Sequence, residues 1–395
     1  MSERTAHRQV VYRLLPRKRV NWRWLERTLE DQRQLYNAAL EERIDCHRKT
    51  GEGLSYFDQC KSLTVCRQAL GDMSAVSVMI QRGTLKRLDE AFKGFFRRGG
   101  GFPRFQGRHH WNSISVVSGV KVESDRIRIP SFGWLTIRRR GGNPHVDGAA
   151  KSAVLKRVEG RWYVVVCYAV SLPEPVDDGR VVGVDMNAGQ VATSDGVIHR
   201  APDMGRLQAR KRRYQRKVSR CKRGSKRRAR AKHRLAKTAR RIACKRHDWQ
   251  HKASRTIADA AHTVVVEDLK PKAMTRSAKG TAGEPGGKVK QKAGLNRVIL
   301  ETGWSDLRRM LSWKTGRLIA VDPRHTSQTC AACGVVDARS RRTQAAFMCV
   351  SCGHADNADI NASREIRRRG LAQLHGEGVA VRHPVNREDI PRLAA

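Results

Sequence analysis

Residues 330–363 read CAACGVVDARSRRTQAAFMCVSCGHADNADINAS. Two close cysteine pairs, Cys330/Cys333 and Cys349/Cys352, stand fifteen residues apart. That is the spacing of a zinc ribbon, in which each pair caps a tight turn and four thiolates meet tetrahedrally at ~2.3 Å from the ion. Gly334 and Gly353 follow each second cysteine, where a knuckle turn needs positive φ. Four ligands leave no open position, so one zinc would be structural and would contribute folding free energy. A redox dithiol and an iron site of rubredoxin type are the weaker readings. Seven residues past the last cysteine stands a carboxylate, Asp359, in the phrase DINA. Why a metal knuckle runs straight into an acid is the question the rest of the chain answers.

Two other acids sit in comparable places. VVGVDM (181–186) is a buried-type strand that closes on Asp185, and TVVVEDL (263–269) carries Glu267 at its end. Acids avoid the ends of hydrophobic strands unless paired or bound to cations. In an open α/β sheet, chemistry collects at the carboxyl ends of strands. Three carboxylates gathered there would repel one another without hard divalent ions between them, and Mg²⁺ takes oxygen ligands of this kind. Two ions ~3.5–4 Å apart clamp an in-line displacement at phosphorus. Each acid alone has an ordinary role: Asp185 as a turn cap, Glu267 as partner of Lys270 or Lys272, Asp359 as a helix N-cap.

The charge balance favours the joint reading. Lys and Arg number 80 against 37 Asp and Glu, a formal net charge of +43. A surface so charged repels itself unless a polyanion neutralises it, and nucleic acid is the default partner. Aromatics are 6% of the chain, which favours phosphate contacts over base stacking as the main source of affinity. The longest apolar run, WYVVVCYAV (162–170), falls short of the ~20 residues that span a bilayer. The N-terminus lacks the apolar segment of a secretory signal. The expectation is a soluble, non-secreted, cytoplasmic and nucleoid-associated protein of a prokaryote. Its remaining cysteines, Cys46, Cys60, Cys66, Cys167, Cys221 and Cys244, read as unpaired thiols.

At 395 residues there is room for two or three compact units of ~100–200 residues. QVVYRLLP (8–15) reads as one strand. A helical region follows, with Trp24, Leu25, Leu29, Leu35, Ala38, Ala39 and Leu40 at helical spacing behind Asn21 as N-cap. A second amphipathic helix carries Val76, Ile80, Leu85, Leu88 and Phe92 behind Ser74 as cap. From 112 to 170 the period falls to two, which predicts short strands in a barrel or sandwich. SLPEPVDDGR (171–180) reads as a linker. Residues 206–246 hold 21 Lys or Arg and no acid, yet their helix formers predict a long basic helix or hairpin between two strands of one sheet. Residues 270–294 read as a mobile basic loop. A helix from Asn296 to about Ser312 and a strand at 318–321 lead into the cysteines.

Taken together, these segments resemble the TnpB family, insertion-sequence proteins that are RNA-guided DNA nucleases and relatives of the type V CRISPR effectors. GVDMNAGQVATSDG (183–196), VVVEDL (264–269), VDPRHTSQTCAACG (321–334) and FMCVSCGHADNADINASREI (347–366) are similar to its RuvC segments and zinc ribbon. The order Asp, Glu, Asp is the RuvC order. LYNAALEER (35–43), LKRLDEAFKGFFRR (85–98) and GFPRF (101–105) are similar to its N-terminal half. The resemblance implies a multidomain α+β chain. A wedge-type β-barrel would take 1–19 and 106–178, with a helical recognition domain at 20–105 inserted. A RuvC-like, RNase H-like α/β nuclease domain would take 179–395, with the ribbon at about 326–356 and a flexible tail at about 371–395. It implies that Asp185, Glu267 and Asp359 are catalytic ligands of two Mg²⁺ ions and that the four cysteines bind zinc. It implies guide RNA and double-stranded target DNA as partners; Gln81, Arg104, Lys211, Arg212, Arg213, Arg227, Arg228 and Arg324 are candidate nucleic-acid contacts, Gln81 for the target-adjacent motif. Asn187 stands where many members have Gly, Asn357 where some have a second acid, and Asp356 is the rival of Asp359. A nuclease-inactive RNA-guided DNA-binding repressor and a guide-free structure-selective nuclease are the alternatives.

Overall fold

The computed structural model describes residues 3–15, 19–138, 146–173, 176–281 and 283–376. The chain divides into two compact units, Met1–Glu174 and Pro175–Ala395.

The first unit opens with β1 (Glu3–Leu14), passes through helices α1 (Arg19–Thr50), α2 (Tyr56–Ala69), α3 (Gly71–Ser74) and α4 (Val78–Arg98), and returns as strands. These are β2 (Ser113–Val116), β3 (Lys121–Val122), β4 (Arg126–Ile129), β5 (Gly133–Arg138), β6 (Ala149–Val158) and β7 (Arg161–Pro173). They form one antiparallel seven-stranded sheet in the order β2-β6-β7-β1-β5-β4-β3. Period two is visible in its burial: Trp162, Val164, Val166, Tyr168 and Val170 on β7 and Val10, Tyr12 and Leu14 on β1 are all core residues. The buried hydroxyls of Tyr12 and Tyr168 satisfy each other at 3.0 Å.

Several local expectations need correction. Asn21 lies inside α1, whose first residue is Arg19, and Ala38 faces solvent. The face formed by Val76, Ile80, Leu85, Leu88 and Phe92 is buried as expected, but Ser77 rather than Ser74 caps α4, its hydroxyl accepting from Met79 N. Helices α2 and α3 were missed. A capping box at Ser55 and Asp58 starts α2, and this S-x-x-D signal was legible.

The second unit is a five-stranded sheet. β8 (Val181–Asn187), β9 (Gln190–Thr193) and β10 (Ile198–Arg200) form an antiparallel meander, and β11 (Thr263–Glu267) and β12 (Arg317–Val321) add in parallel, giving the order β10-β9-β8-β11-β12. The basic run is a hairpin of α5 (Gly205–Arg220) and α6 (Lys226–Ala260) between β10 and β11. The expected mobile loop contains α7 (Pro271–Met274) and the start of α8 (Val289–Thr302). It is tied down by Lys292 Nζ to Met274 O and Asn296 Nδ2 to Thr275 O. The helix expected from Asn296 to Ser312 is broken at Gly303 (φ 71°) into α8 and α9 (Trp304–Lys314). A Cβ at Gly303 would meet Gln250 Nε2 at 2.7 Å, so only glycine lets this corner close.

The ribbon adds β13 (Ala346–Met348) and β14 (Ala355–Asn357), and α10 (Ala358–Gly376) follows directly. This helix runs past Gly370, into what was expected to be tail; residues 377–395 lie outside the described residues. The two faces of β11 bury different neighbours. Val264 and Val266 pack with Ile257, Trp304 and Leu307, whereas Val265 packs with Ile319 and Ile366 of α10. A strand covered on both faces reads as a continuous apolar run, which is why TVVVE does not alternate. α10 lies on the sheet at two glycines. A Cβ at Gly183 of β8 would meet Ser363 O at 2.1 Å, and one at Gly370 would meet the Val265 side chain at 2.3 Å.

Candidate active site and metal-binding knuckle

β8 and β11 run parallel with Val184 opposite Val266, so Asp185 and Glu267, one residue on, are strand neighbours at the same end of the sheet. The contact at Gly183 fixes the start of α10 over β8. Asp359, on its first turn, is 2% exposed. Its Oδ1 accepts from Asn187 Nδ2 at 2.7 Å and its Oδ2 from Gln190 Nε2 at 2.6 Å. Those donors sit at the β8–β9 turn, so the third acid is held at the same strand end as the first two. Asp359 is not the helix cap. Asn357 Oδ1 accepts from Asp359 N and Ile360 N, which leaves the Asp359 carboxylate free for other work. The rival Asp356 is spent on Arg364 at 2.6 Å and faces His354 at 3.8 Å.

Glu267 is 8% exposed. It accepts from the buried Thr326 hydroxyl at 2.6 Å rather than pairing with Lys270 or Lys272. Burial raises its pKa, with the Thr326 bond and the Arg369 guanidinium opposing. Asp185 is pushed up to about 8, by burial first and then by the charges of Glu267 and Asp359, with Arg341 opposing. Three acids therefore share a poorly solvated strand end, where the charges of Glu267 and Asp359 disfavour the ionisation of Asp185. The cation that reaches them is Arg341, whose Nη2 lies 3.3 Å from Asp359 Oδ1. This arginine comes from the ribbon and was missed in the sequence, where no spacing ties it to the acids.

The knuckle is tighter. Cys330, Cys333, Cys349 and Cys352 bring their sulfurs within 4.8 Å of one another, and among the described residues no other His, Cys, Asp or Glu group of three or more does so. Cys330–Cys352 and Cys333–Cys349 are 3.7 and 3.6 Å apart, close to the ~3.8 Å edge of a tetrahedron with ~2.3 Å metal–sulfur bonds. Gly334 (φ 78°) and Gly353 (φ 72°) close the turns, donating to Cys330 O and Cys349 O. Backbone amides of Cys352 and Ser351 hold the Cys349 thiol down to about 6, favouring the thiolate a metal needs. The donor set fits a soft or borderline metal ion.

Knuckle and acid are joined by one buried side chain. Asn361, 0% exposed, accepts from Ala331 N at 2.9 Å and donates to Thr329 O at 2.8 Å. In DINA, then, the asparagine grips the first knuckle while the aspartate, two residues earlier on α10, belongs to the acid cluster.

The other candidate residues fare differently. Arg212, Arg213 and Arg227 are exposed on the α5–α6 hairpin and Lys211 is partly so. Near the hairpin turn a pocket of about 710 Å³ is lined by Arg213, Arg216, Lys217, Arg220, Lys222 and Arg227. Arg228 instead donates to Val218 O and Cys221 O and so closes the hairpin. Arg104 and Arg324 are exposed. Gln81 is 3% exposed, its Nε2 donating to Met73 O and its Oε1 accepting from Arg67. As the protein stands, that amide is consumed internally.

No helix among the described residues is long and apolar enough to cross a membrane. Residues 164–278 match the family profile described as "Probable transposase" (OrfB_IS605), and residues 304–366 match "Cas12f1-like, TNB domain". InsQ of Escherichia coli (strain K12), named as a candidate RNA-guided DNA endonuclease, is 34% identical over 79% of this chain and 79% of its own. A protein of Streptomyces pristinaespiralis with the same description is 29% identical over 90% of this chain and 88% of its own. The solved structure of the mini-RNA-guided endonuclease CRISPR-Cas_phi3 matches with TM-score 0.42 and 11% identity, covering 93% of this chain and 92% of that one. With the motifs and a relative 34% identical over 79% of each chain in agreement, the chain belongs to the TnpB family.

Proposed function

We propose that this chain is an RNA-guided DNA endonuclease that hydrolyses phosphodiesters at Asp185, Glu267 and Asp359. The observation that carries the reading is the gathering of these acids, from β8, β11 and α10, at one strand end. It is supported by the relatives, whose names describe RNA-guided DNA endonucleases. The second unit, with its 3-2-1-4-5 strand order and α10 on one face, is read as the RuvC-like domain, and the ribbon as an insertion in it. The first unit is read as a wedge-type sheet with a helical recognition element inserted between β1 and β2. The ion in the knuckle is read as zinc.

The acid site fits hard divalent cations. Its donors are carboxylate oxygens, its burial discourages bare negative charge, and Arg341 beside Asp359 and Arg369 acting on Glu267 are its protein cations. Mg²⁺ held by the three acids would activate water and neutralise the leaving oxygen. Thr326 orients Glu267, and Asn187 and Gln190 hold both oxygens of Asp359, so two of the three carboxylates are aimed before an ion arrives. A guide RNA would supply sequence specificity by pairing, while the basic hairpin neutralises phosphates.

The test is to purify the protein with its native flanking DNA, sequence the RNA that accompanies it, and assay cleavage of a matched plasmid. Cleavage is expected to need a divalent cation and the matching guide, and to vanish in Asp185→Ala. Protein free of RNA, or an equally active Asp185→Ala, would reject the proposal. Binding without cleavage by the wild type would leave the repressor.

A further inference from the structure

Five of the eight phenylalanines in the chain fall between residues 92 and 105. Phe92 is buried at the end of α4, with the Arg43 guanidinium 4.9 Å from its ring centroid. The others spread outward from it. Phe96 lies near-parallel to Phe92 at 6.2 Å, Phe102 is edge-on to Phe92 at 5.5 Å and to Phe95 at 5.4 Å, and Phe95 meets Phe96 at 5.0 Å. Phe96 is 75% exposed, Phe102 47% and Phe105 57%.

This exposure is built into the fold. α4 stops at Gly99 (φ 61°), and Gly100 N returns to Gly94 O at 3.0 Å. The following loop is pinned at Gln106, whose N donates to Asn37 Oδ1 at 2.8 Å and whose O accepts from Arg33 at 2.8 Å and Asn37 at 3.2 Å. Pro103, which separates Phe102 from Arg104 and Phe105 in the chain, is buried. A loop anchored on α1 therefore holds aromatic faces in water, and such patches mark binding surfaces.

The surrounding charge selects the occupant. Residues 92–112 contain five Lys or Arg and no acid, and of these Lys93 and Arg108 pair with Asp89, Glu90 and Glu30 from outside the segment. Exposed Arg97 and Arg104 have no carboxylate partner among the described residues. A second copy of a +43 chain would bring like charge to this rim. A polyanion with flat apolar faces fits: unpaired bases stack on aromatic rings while phosphates take the guanidiniums. A folded RNA splays bases out of loops and bulges, where duplex DNA keeps them stacked.

We propose that Phe96, Phe102 and Phe105 form a stacking platform for unpaired bases of an RNA loop or bulge. The inference rests on the RNA-guided reading and deepens it. It gives one region of the first unit a role that the overall scarcity of aromatics argued against.

The test uses the full chain and an RNA hairpin with 2-aminopurine in its loop. Affinity is measured at fixed salt for the wild type, for Phe96→Ser/Phe102→Ser, and for Phe57→Ser as an equally exposed aromatic (73%) outside the cluster. Loss of stacking is expected to weaken loop binding roughly 10- to 100-fold and to abolish the 2-aminopurine quench. Binding of blunt RNA duplex, the salt slope and Phe57→Ser should stay at wild-type values. Unchanged loop affinity in a double variant with wild-type circular dichroism would overturn the platform. So would tighter binding of the DNA hairpin of the same sequence, binding to anionic vesicles in place of RNA, or a self-associating wild type that the double variant renders monomeric. Wild-type protein that binds no RNA at all would remove the guided reading along with the platform.

Discussion

In the ribbon, four sulfurs lie within 4.8 Å of one another and backbone amides stabilise that of Cys349. At the end of β8, two of the three carboxylates, Asp359 and Glu267, are instead held by side chains, Asn187, Gln190, Arg341 and Thr326. The contrast follows from the ligands. Thiolates can be assembled by two local turns, because each C-x2-C fixes its own backbone. Carboxylates from three distant elements need a finished sheet before they meet, and until an ion binds they are kept apart by hydrogen bonds. An order of assembly follows, in which the knuckle forms locally, Asn361 fastens it to α10, and the third acid then takes its place.

Breaking the knuckle should have the largest effect. Cys349→Ser removes the thiolate that the backbone best stabilises. Apparent binding free energies of structural zinc run to roughly 10–16 kcal/mol in isolated fingers. Metal analysis should find the ion nearly gone, the thermal transition should fall, and plasmid cleavage should fail even with ample Mg²⁺. Full cleavage by zinc-free protein would show that the two clusters are independent, and the assembly order would be wrong.

Next is the seam under the acids. Gly183→Ala puts a methyl 2.1 Å from Ser363 O and 2.6 Å from Arg367 N, both of them backbone atoms, so α10 must shift. Overpacking of this kind costs about 1–3 kcal/mol. Displacing a catalytic group by about 1 Å can cost 10²-fold in rate. Cleavage should therefore drop about a hundredfold while metal analysis still finds one zinc. That split would separate the acid cluster from the knuckle, and loss of zinc in this variant would join them.

The same contrast explains what was legible. Cys330 to Cys352 are written within 23 residues, and their glycines mark the turns. Asp185 and Glu267 were visible because a fully covered strand ending in an acid is costly without a purpose. Gly183 and Gly370 were invisible as packing residues, since the need for their missing Cβ arises only when α10 meets β8 and β11. Gln81 misled for a related reason: a polar residue on an amphipathic helix reads as outward, yet the carbonyl of Met73 and the guanidinium of Arg67 draw it in. Gly303 broke a helix whose period runs through it, because the corner depends on Gln250, 53 residues away.

A smaller effect comes from the proton on Asp185. Its pKa is about 8 in the folded, metal-free protein and 3.8 as an ordinary aspartate. Between those values the folded state keeps a proton that the unfolded state has released, so stability falls as pH rises through this window. Glu267, raised in the same direction, adds to the slope. Asp185→Asn removes the titration. In buffer without added Mg²⁺ and without chelator, the variant should lose less stability than wild type between pH 5 and 8 in urea titrations, and should be the more stable of the two at pH 8. A wild-type stability that rises across this range would mean that Asp185 is not crowded by the other acids. The ribbon should contribute no comparable slope while its zinc is bound.

The smallest effect belongs to the neighbouring acid. Asp356 and Asp359 are three residues apart on either side of the β14–α10 junction, and in the sequence they compete for one role. In the structure Asp356, whose side chain is 16% exposed, faces Arg364, whose side chain is 45% exposed, and a pair that opens to solvent through its guanidinium stays near the ~0–1 kcal/mol of a surface ion pair. Asp356 Oδ1 also accepts from Asn357 N, a bond the amide oxygen of an asparagine can keep. Asp356→Asn should therefore leave cleavage within about twofold of wild type and stability within about 1 kcal/mol. Asp359→Asn, with both oxygens pointed at Asn187 and Gln190 and a guanidinium beside them, should abolish cleavage. If Asp356→Asn proved the inactive variant and Asp359→Asn the tolerated one, the acid that faces β8 would not be the one that works, and α10 would have to rotate on Gly183 before the site formed.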